Sequence, residues 1–184
     1  LAQQTVKHQQ VFQRLMAFEF GQVESTLHDQ KELSPFDVYY LSLASMLELI
    51  LFQDEQKHLQ LLKNISENIK LLKSIQGEAA LVARAELEFH QAILYALNMQ
   101  EFSAAMSFRQ SHQTTKSILS KYPGNKEIKK LAGIHYILLG SSPEKYDWIL
   151  GFFGVRGDVN YGIQLLEDAT LLPKPQGLEA ELWK

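Results

Sequence analysis

The stretch Leu33-Ser34-Pro35-Phe36-Asp37-Val38-Tyr39-Tyr40-Leu41, continuing through Ser42 to Phe52, decides how this chain is read. Ser34 is placed to cap a helix. Pro35 fits the first turn, where an N–H would have no intrahelical acceptor, and Asp37 sets a negative charge near the positive end of the helix. Leu33 and Val38 are spaced to close a hydrophobic staple around that cap. Beyond it, Tyr40, Leu41, Ala44, Leu47 and Leu51 form a broad apolar face, widened by Leu43, Leu49 and Ile50, so neighbouring helices are expected to cover it on more than one side. The run from Val38 to Phe52 is broken by Ser42, Ser45 and Glu48. As a bilayer span it reads as too short and too polar, and a buried helix is the better reading.

Working outward, glycines and prolines fall where helical periodicity stops. After Gln53-Asp54, the residues Leu62, Ile65, Ile69 and Leu72 recur three and four apart, an amphipathic partner for the first helix that Gly77 ends. This predicts a hairpin over 34–75. Upstream, Val11, Phe12, Leu15 and Met16 followed by Val23 and Leu27 predict another over 4–31. Downstream, the small residues Ala79, Ala80, Ala83 and Ala85 open a third over 78–121, which continues through Phe89, Ala92, Ile93 and Leu97, then Phe102, Ala105, Phe108, Ile118 and Leu119. Tyr122-Pro123-Gly124-Asn125 stops it. A fourth is predicted over 126–153, with Ser142-Pro143 repeating the cap seen at Ser34-Pro35. A further helix over 158–170 follows, and the start of another over 177–184 reads as the beginning of a continuing solenoid.

The 184 residues are 46% hydrophobic and 21% charged, the balance of a folded chain with a sizeable core. The net charge of -3 gives no general attraction to phosphate, so no nucleic-acid partner is expected. Lys116, Lys121, Lys126, Lys129 and Lys130 gather locally, as a solvated helix face or a basic patch. No cysteine is present, which removes thiol nucleophiles, disulfides and iron–sulfur ligands together. The start at Leu1, followed by Ala2, is compatible with removal of a signal peptide after a small residue and tips the expected location towards export or the periplasm over the cytoplasm.

Repeating helical hairpins stack because each buries its apolar face only against its neighbours. Ala92, Tyr95, Ala104 and Phe108, with Pro123 closing an elongated second helix, fall at the spacing of a tetratricopeptide repeat's small, aromatic, small and aromatic positions. The segment therefore resembles a diverged tetratricopeptide repeat, longer than the family's unit and without its early tryptophan. The stretch Tyr146-Asp147-Trp148-Ile149-Leu150-Gly151-Phe152-Phe153-Gly154-Val155-Arg156-Gly157-Asp158 is similar to a segment of large tetratricopeptide-like proteins, including a eukaryotic group linked to the mitochondrial outer membrane. These resemblances imply an all-α fold, a right-handed stack of antiparallel helical hairpins in a single domain over 1–184, and a scaffold or adaptor role. They bring no catalytic residues.

Each candidate chemistry has a structural counterpart. Glu55 and His58 form one Glu-x-x-His pair, where a di-iron bundle needs two, and Glu55 also suits a helix start. Glu86 with His90 and Glu24 with His28 lie one turn apart, as surface hydrogen-bonding pairs or halves of an acid–base pair. Glu55, His58, Glu86 and His90 together define the competing reading, a helical-bundle metal-dependent enzyme or small-ligand carrier. Gly151, Gly154 and Gly157 lack the Lys-Ser/Thr ending of a phosphate loop and read as a tight turn between packed helices. Tyr146, Trp148, Phe152, Phe153 and Arg156 are the candidate partner-binding residues, because clustered aromatics anchor interfaces, although one shared helical face also favours burial. Gln9, Gln10, Gln13, Asn64, Asn68, Gln91, Gln110 and Gln113 are candidates to line a peptide groove. The expected function is non-catalytic protein or peptide binding, with self-association open, no cofactor and no metal. The lack of a basic amphipathic helix argues against a membrane surface.

Overall fold

The computed structural model describes residues 2–28, 32–143, 151, 154, 156–172 and 176–183. Among them are nine helices and no strand: α1 (Ala2–Met16), α2 (Phe20–His28), α3 (Pro35–Phe52), α4 (Glu55–Ser74), α5 (Glu78–Leu97), α6 (Glu101–Lys121), α7 (Lys126–Gly140), α8 (Val159–Thr170) and α9 (Gln176–Leu182). The all-α expectation holds, and most helix limits fall where the caps and stops placed them. Most of the expected helix 142–153 lies outside the described residues. The chain groups into two compact units, Leu1–Ser111 and His112–Lys184.

In the first unit, Ser34 caps α3 as its sequence implies: its side chain accepts the Asp37 N–H at 3.2 Å, and Asp37 returns the bond from the Ser34 N–H at 2.9 Å. Asp37 does more than complement the helix dipole. It is buried, and its other oxygen takes Lys7 Nζ and His8 Nε2 at 3.1 Å each, tying α1 to α3. Burial opposes its charge, but the bonds from His8, Ser34 and Lys7 outweigh that and hold the carboxyl below its usual range. The α4 stripe of Leu62, Ile65, Ile69 and Leu72 is buried in one core with Tyr40, Leu49, Ala83, Leu87 and Leu94. At 18 residues and a mean hydropathy of 1.3, the whole of α3 reaches the length and composition of a membrane span, which the shorter run from Val38 does not suggest.

Pairs of touching residues give the helix directions. Ser111 Oγ donates to the Ala85 carbonyl, Gln110 to Glu88, and Phe108 meets Phe89 edge-on, so numbers fall on α6 as they rise on α5. That is an antiparallel pair. Gln91 crosslinks three helices, donating to Ser66 Oγ of α4 at 2.9 Å and accepting from Ser107 of α6 at 3.4 Å.

In the second unit, α7 and α8 are antiparallel by the same test, through Lys129 with Asp168, Gly133 with Gly162, and Tyr136 with Tyr161. Glycine makes this crossing possible. A Cβ on Gly133 would lie 2.8 Å from the Gly162 carbonyl oxygen, and one on Gly162 would lie 2.8 Å from that of Gly133. A Cβ on Gly157 would run into the backbone of Leu139 and Gly140, so this glycine serves close packing, whereas Gly151 and Gly154 have open space around them. Asp158 caps α8 by accepting the Tyr161 N–H at 3.0 Å. Lys130 departs from both readings of the lysine cluster: it is buried and pairs with the buried Glu179 of α9 at 3.0 Å. A patch of five lysines therefore does not form.

Candidate functional site

Of the expected partner-binding residues, Tyr146, Trp148, Phe152 and Phe153 lie outside the described residues, while Arg156 is exposed. Among the proposed groove amides, Gln91 and Gln110 are engaged between helices, as described above, while Gln10, Gln13, Asn64 and Gln113 are exposed. Glu86 and His90 are not a surface pair. Both are buried in α5, where His90 Nδ1 lies 2.8 Å from Ser42 Oγ and its ring stacks on Tyr39. His58 is half-buried on α4, and the side chains of Glu55 and His28 are outside the described set. Among the described residues no three His, Asp or Glu side chains converge on one point as metal ligands. The second unit has a cleft lined by Leu119, Pro123, Tyr161 and Gln164, but its one lysine, Lys129, is held by Asp168 at 2.6 Å.

A different feature stands out in the first unit, at the end of α3 and α5. The sequence places Leu51 on the covered face of α3 and Phe102 and Leu97 among the packed residues of the third hairpin; all three are at least half exposed. Phe52 is 69% exposed, Leu59 on the first turns of α4 69%, Met99 86% and Phe102 66%. Their exposure follows from the geometry. The two-residue link Gln53-Asp54 and the three-residue link at Asn98-Met99-Gln100 reverse the chain abruptly and leave little chain there to cover the flanking side chains.

These two turns lie at one end. The links between α3, α4 and α5 are short, and α5 packs on both members of the α3–α4 pair, so α3 and α5 run the same way. Ser42 and His90 touch, and from that level both turns lie about 15 Å on at 1.5 Å per residue. The turns also share an unusual backbone. Gln53 and Met99 hold left-handed conformations at φ 51° and 56°, where glycine is the ordinary occupant; Phe18 does the same after α1, at φ 59°. Met99 thus keeps an apolar side chain in a position that local conformation disfavours and water surrounds.

The charge at this end is one-sided. Among the described side chains from Leu47 to Gln60 and from Ile93 to Met106, the carboxylates are Glu48, Asp54 and Glu101, against one lysine, Lys57. That lysine is hydrogen-bonded to Glu48 at 2.9 Å, which raises its pKa. Asp54 caps α4 by accepting the N–H groups of Gln56 and Lys57. The sequence signal was an apolar pair directly before a turn followed by an acidic helix start, as in Leu51-Phe52-Gln53-Asp54 and Ala96-Leu97-Asn98-Met99-Gln100-Glu101. Helical periodicity assigns such residues to the core and so passes over them.

No protein-family model, no curated protein and no solved structure matches this chain.

Proposed function

We propose that this chain is a non-catalytic protein-binding scaffold or adaptor, a diverged member of the tetratricopeptide-like helical repeats. The observation that carries the reading is the group of exposed apolar side chains, Leu51, Phe52, Leu59, Leu97, Met99 and Phe102, at one end of the α3–α4–α5 assembly. Single exposed apolar residues need no explanation, but several gathered at adjacent turns mark a surface that another macromolecule covers. Aromatic and methionine side chains are the types enriched in interface centres. Phe52 precedes a left-handed residue and Met99 is one, so both are held at turns that the fold supports at a cost in local stability.

The test is site-specific crosslinking in the cell that makes the protein, with a photoreactive phenylalanine analogue at position 52, at 102 or, as control, at the exposed Lys70 of α4. One defined protein adduct shared by positions 52 and 102 and absent from position 70 is expected. Identical background from all three positions would end the proposal.

A further inference from the structure

We infer that the segment docking at this end is a cationic amphipathic peptide of a partner protein, with Lys or Arg beside an apolar stripe; the inference rests on the docking reading above. The apolar side chains at the two turns supply an anchor surface without direction. The carboxylates of Glu48, Asp54 and Glu101 beside them supply the sign. Lys57 is paired with Glu48 and also lies in the field of Asp54, so this one lysine stands against several carboxylates and the charge on these segments stays negative on balance. A partner that covers the apolar group brings its own charges against that rim, and only positive ones improve the contact.

Other occupants fare worse on the same grounds. An anionic bilayer would meet the carboxylates head-on, since surface binding to such lipid runs through Lys and Arg. A second copy presenting the same end would bring one acidic rim against another, and like charges across an interface oppose association. An amphipathic helix laid across the two turns has neither problem, and such helices are a recurrent way of filling apolar surfaces.

The experiment measures fluorescence anisotropy of three labelled synthetic helical peptides with one apolar pattern, made of leucine with lysine, with glutamine or with glutamate, titrated with the full chain. The lysine peptide is expected to bind saturably and to weaken with added salt, the glutamine peptide to bind at least about tenfold more weakly, and the glutamate peptide not to bind. Two variants locate the site. The double substitution Phe52→Gln with Phe102→Gln removes the aromatic anchors. Met99→Gly removes a side chain at a left-handed position that glycine prefers, so the fold is kept. Each is expected to weaken lysine-peptide binding about tenfold or more, while Glu67→Gln, about 18 Å along α4 from its start, leaves it unchanged.

If the glutamine peptide binds as tightly as the lysine peptide and both are lost in the Phe52/Phe102 variant, docking stands and the cationic partner is overturned. If no peptide responds to the Phe52/Phe102 or Met99 substitutions, docking at this end falls with it. Cosedimentation with anionic phospholipid vesicles, or dimerisation, that the same substitutions abolish would also overturn the inference.

Discussion

Lys130 and Glu179 are each buried and 3.0 Å apart, and removing one member of a buried ion pair takes from the other the counter-charge that offsets its desolvation. Lys130→Met leaves the Glu179 carboxylate buried beside a thioether, and its cost should reach about 3 kcal/mol in urea unfolding of the second unit. That cost has a ceiling, because α9 is a single short helix that can release Glu179 to water by undocking. Lys130→Met combined with Glu179→Leu should recover most of the loss, since an apolar pair of similar volume often replaces a buried ion pair without penalty. A double variant as unstable as the single one would show that the pair contributes through hydrogen bonds that apolar packing does not replace.

At the scale of elements, the α7–α8 crossing depends on backbone approaching backbone. Gly162→Ala puts a methyl 2.7 Å from the Ile137 side chain and 2.8 Å from the Gly133 carbonyl oxygen, and the oxygen cannot rotate away. The helices must separate, and thermal or urea unfolding should report a loss of about 1–3 kcal/mol despite the better helix propensity of alanine. An unchanged midpoint would mean that the crossing is looser than the distances indicate. This crossing also shows what the sequence could and could not reveal. Ser34-Pro35, Gly77, Tyr122-Pro123-Gly124 and Asp158 announced element limits because each acts on backbone within a few residues of itself. Gly133 and Gly162 carry no local signal, since the reason for each glycine is a carbonyl on another helix. The same holds for Asp37, legible as a cap residue but not as the acceptor for Lys7 and His8. It holds too for Phe52 and Phe102, whose spacing matches core residues while the turns beside them leave them in water.

For the molecule as a whole, acid should act on the two units through different groups. In the second unit His112 and His135 sit with ring centres 5.7 Å apart, His135 fully buried. Desolvation, helped by Lys116, lowers the pKa of His112 to about 4; desolvation, helped by His112, lowers that of His135 to about 3. Both rings are therefore neutral in the folded chain at pH 5, whereas the unfolded chain takes up protons from about pH 6.5 downward. Stability from this pair is fully present above pH 6.5 and is lost progressively as pH falls towards 4 and then 3. Asp37 in the first unit has its carboxyl held below the usual range, so its contribution persists to lower pH and is lost only as pH falls below about 3.8, the ordinary value for an aspartate. Hydrogen exchange measured from pH 7 to pH 4, corrected for intrinsic rates, should show protection in α7 and α8 declining across that window. The decisive comparison is His135→Phe, which keeps an aromatic ring in the site and removes the proton-binding nitrogen. Whatever its absolute stability, the variant should lose less between pH 7 and pH 4.5 than the parent does. Equal losses in the two proteins would place the acid sensitivity of this unit elsewhere than in the paired rings.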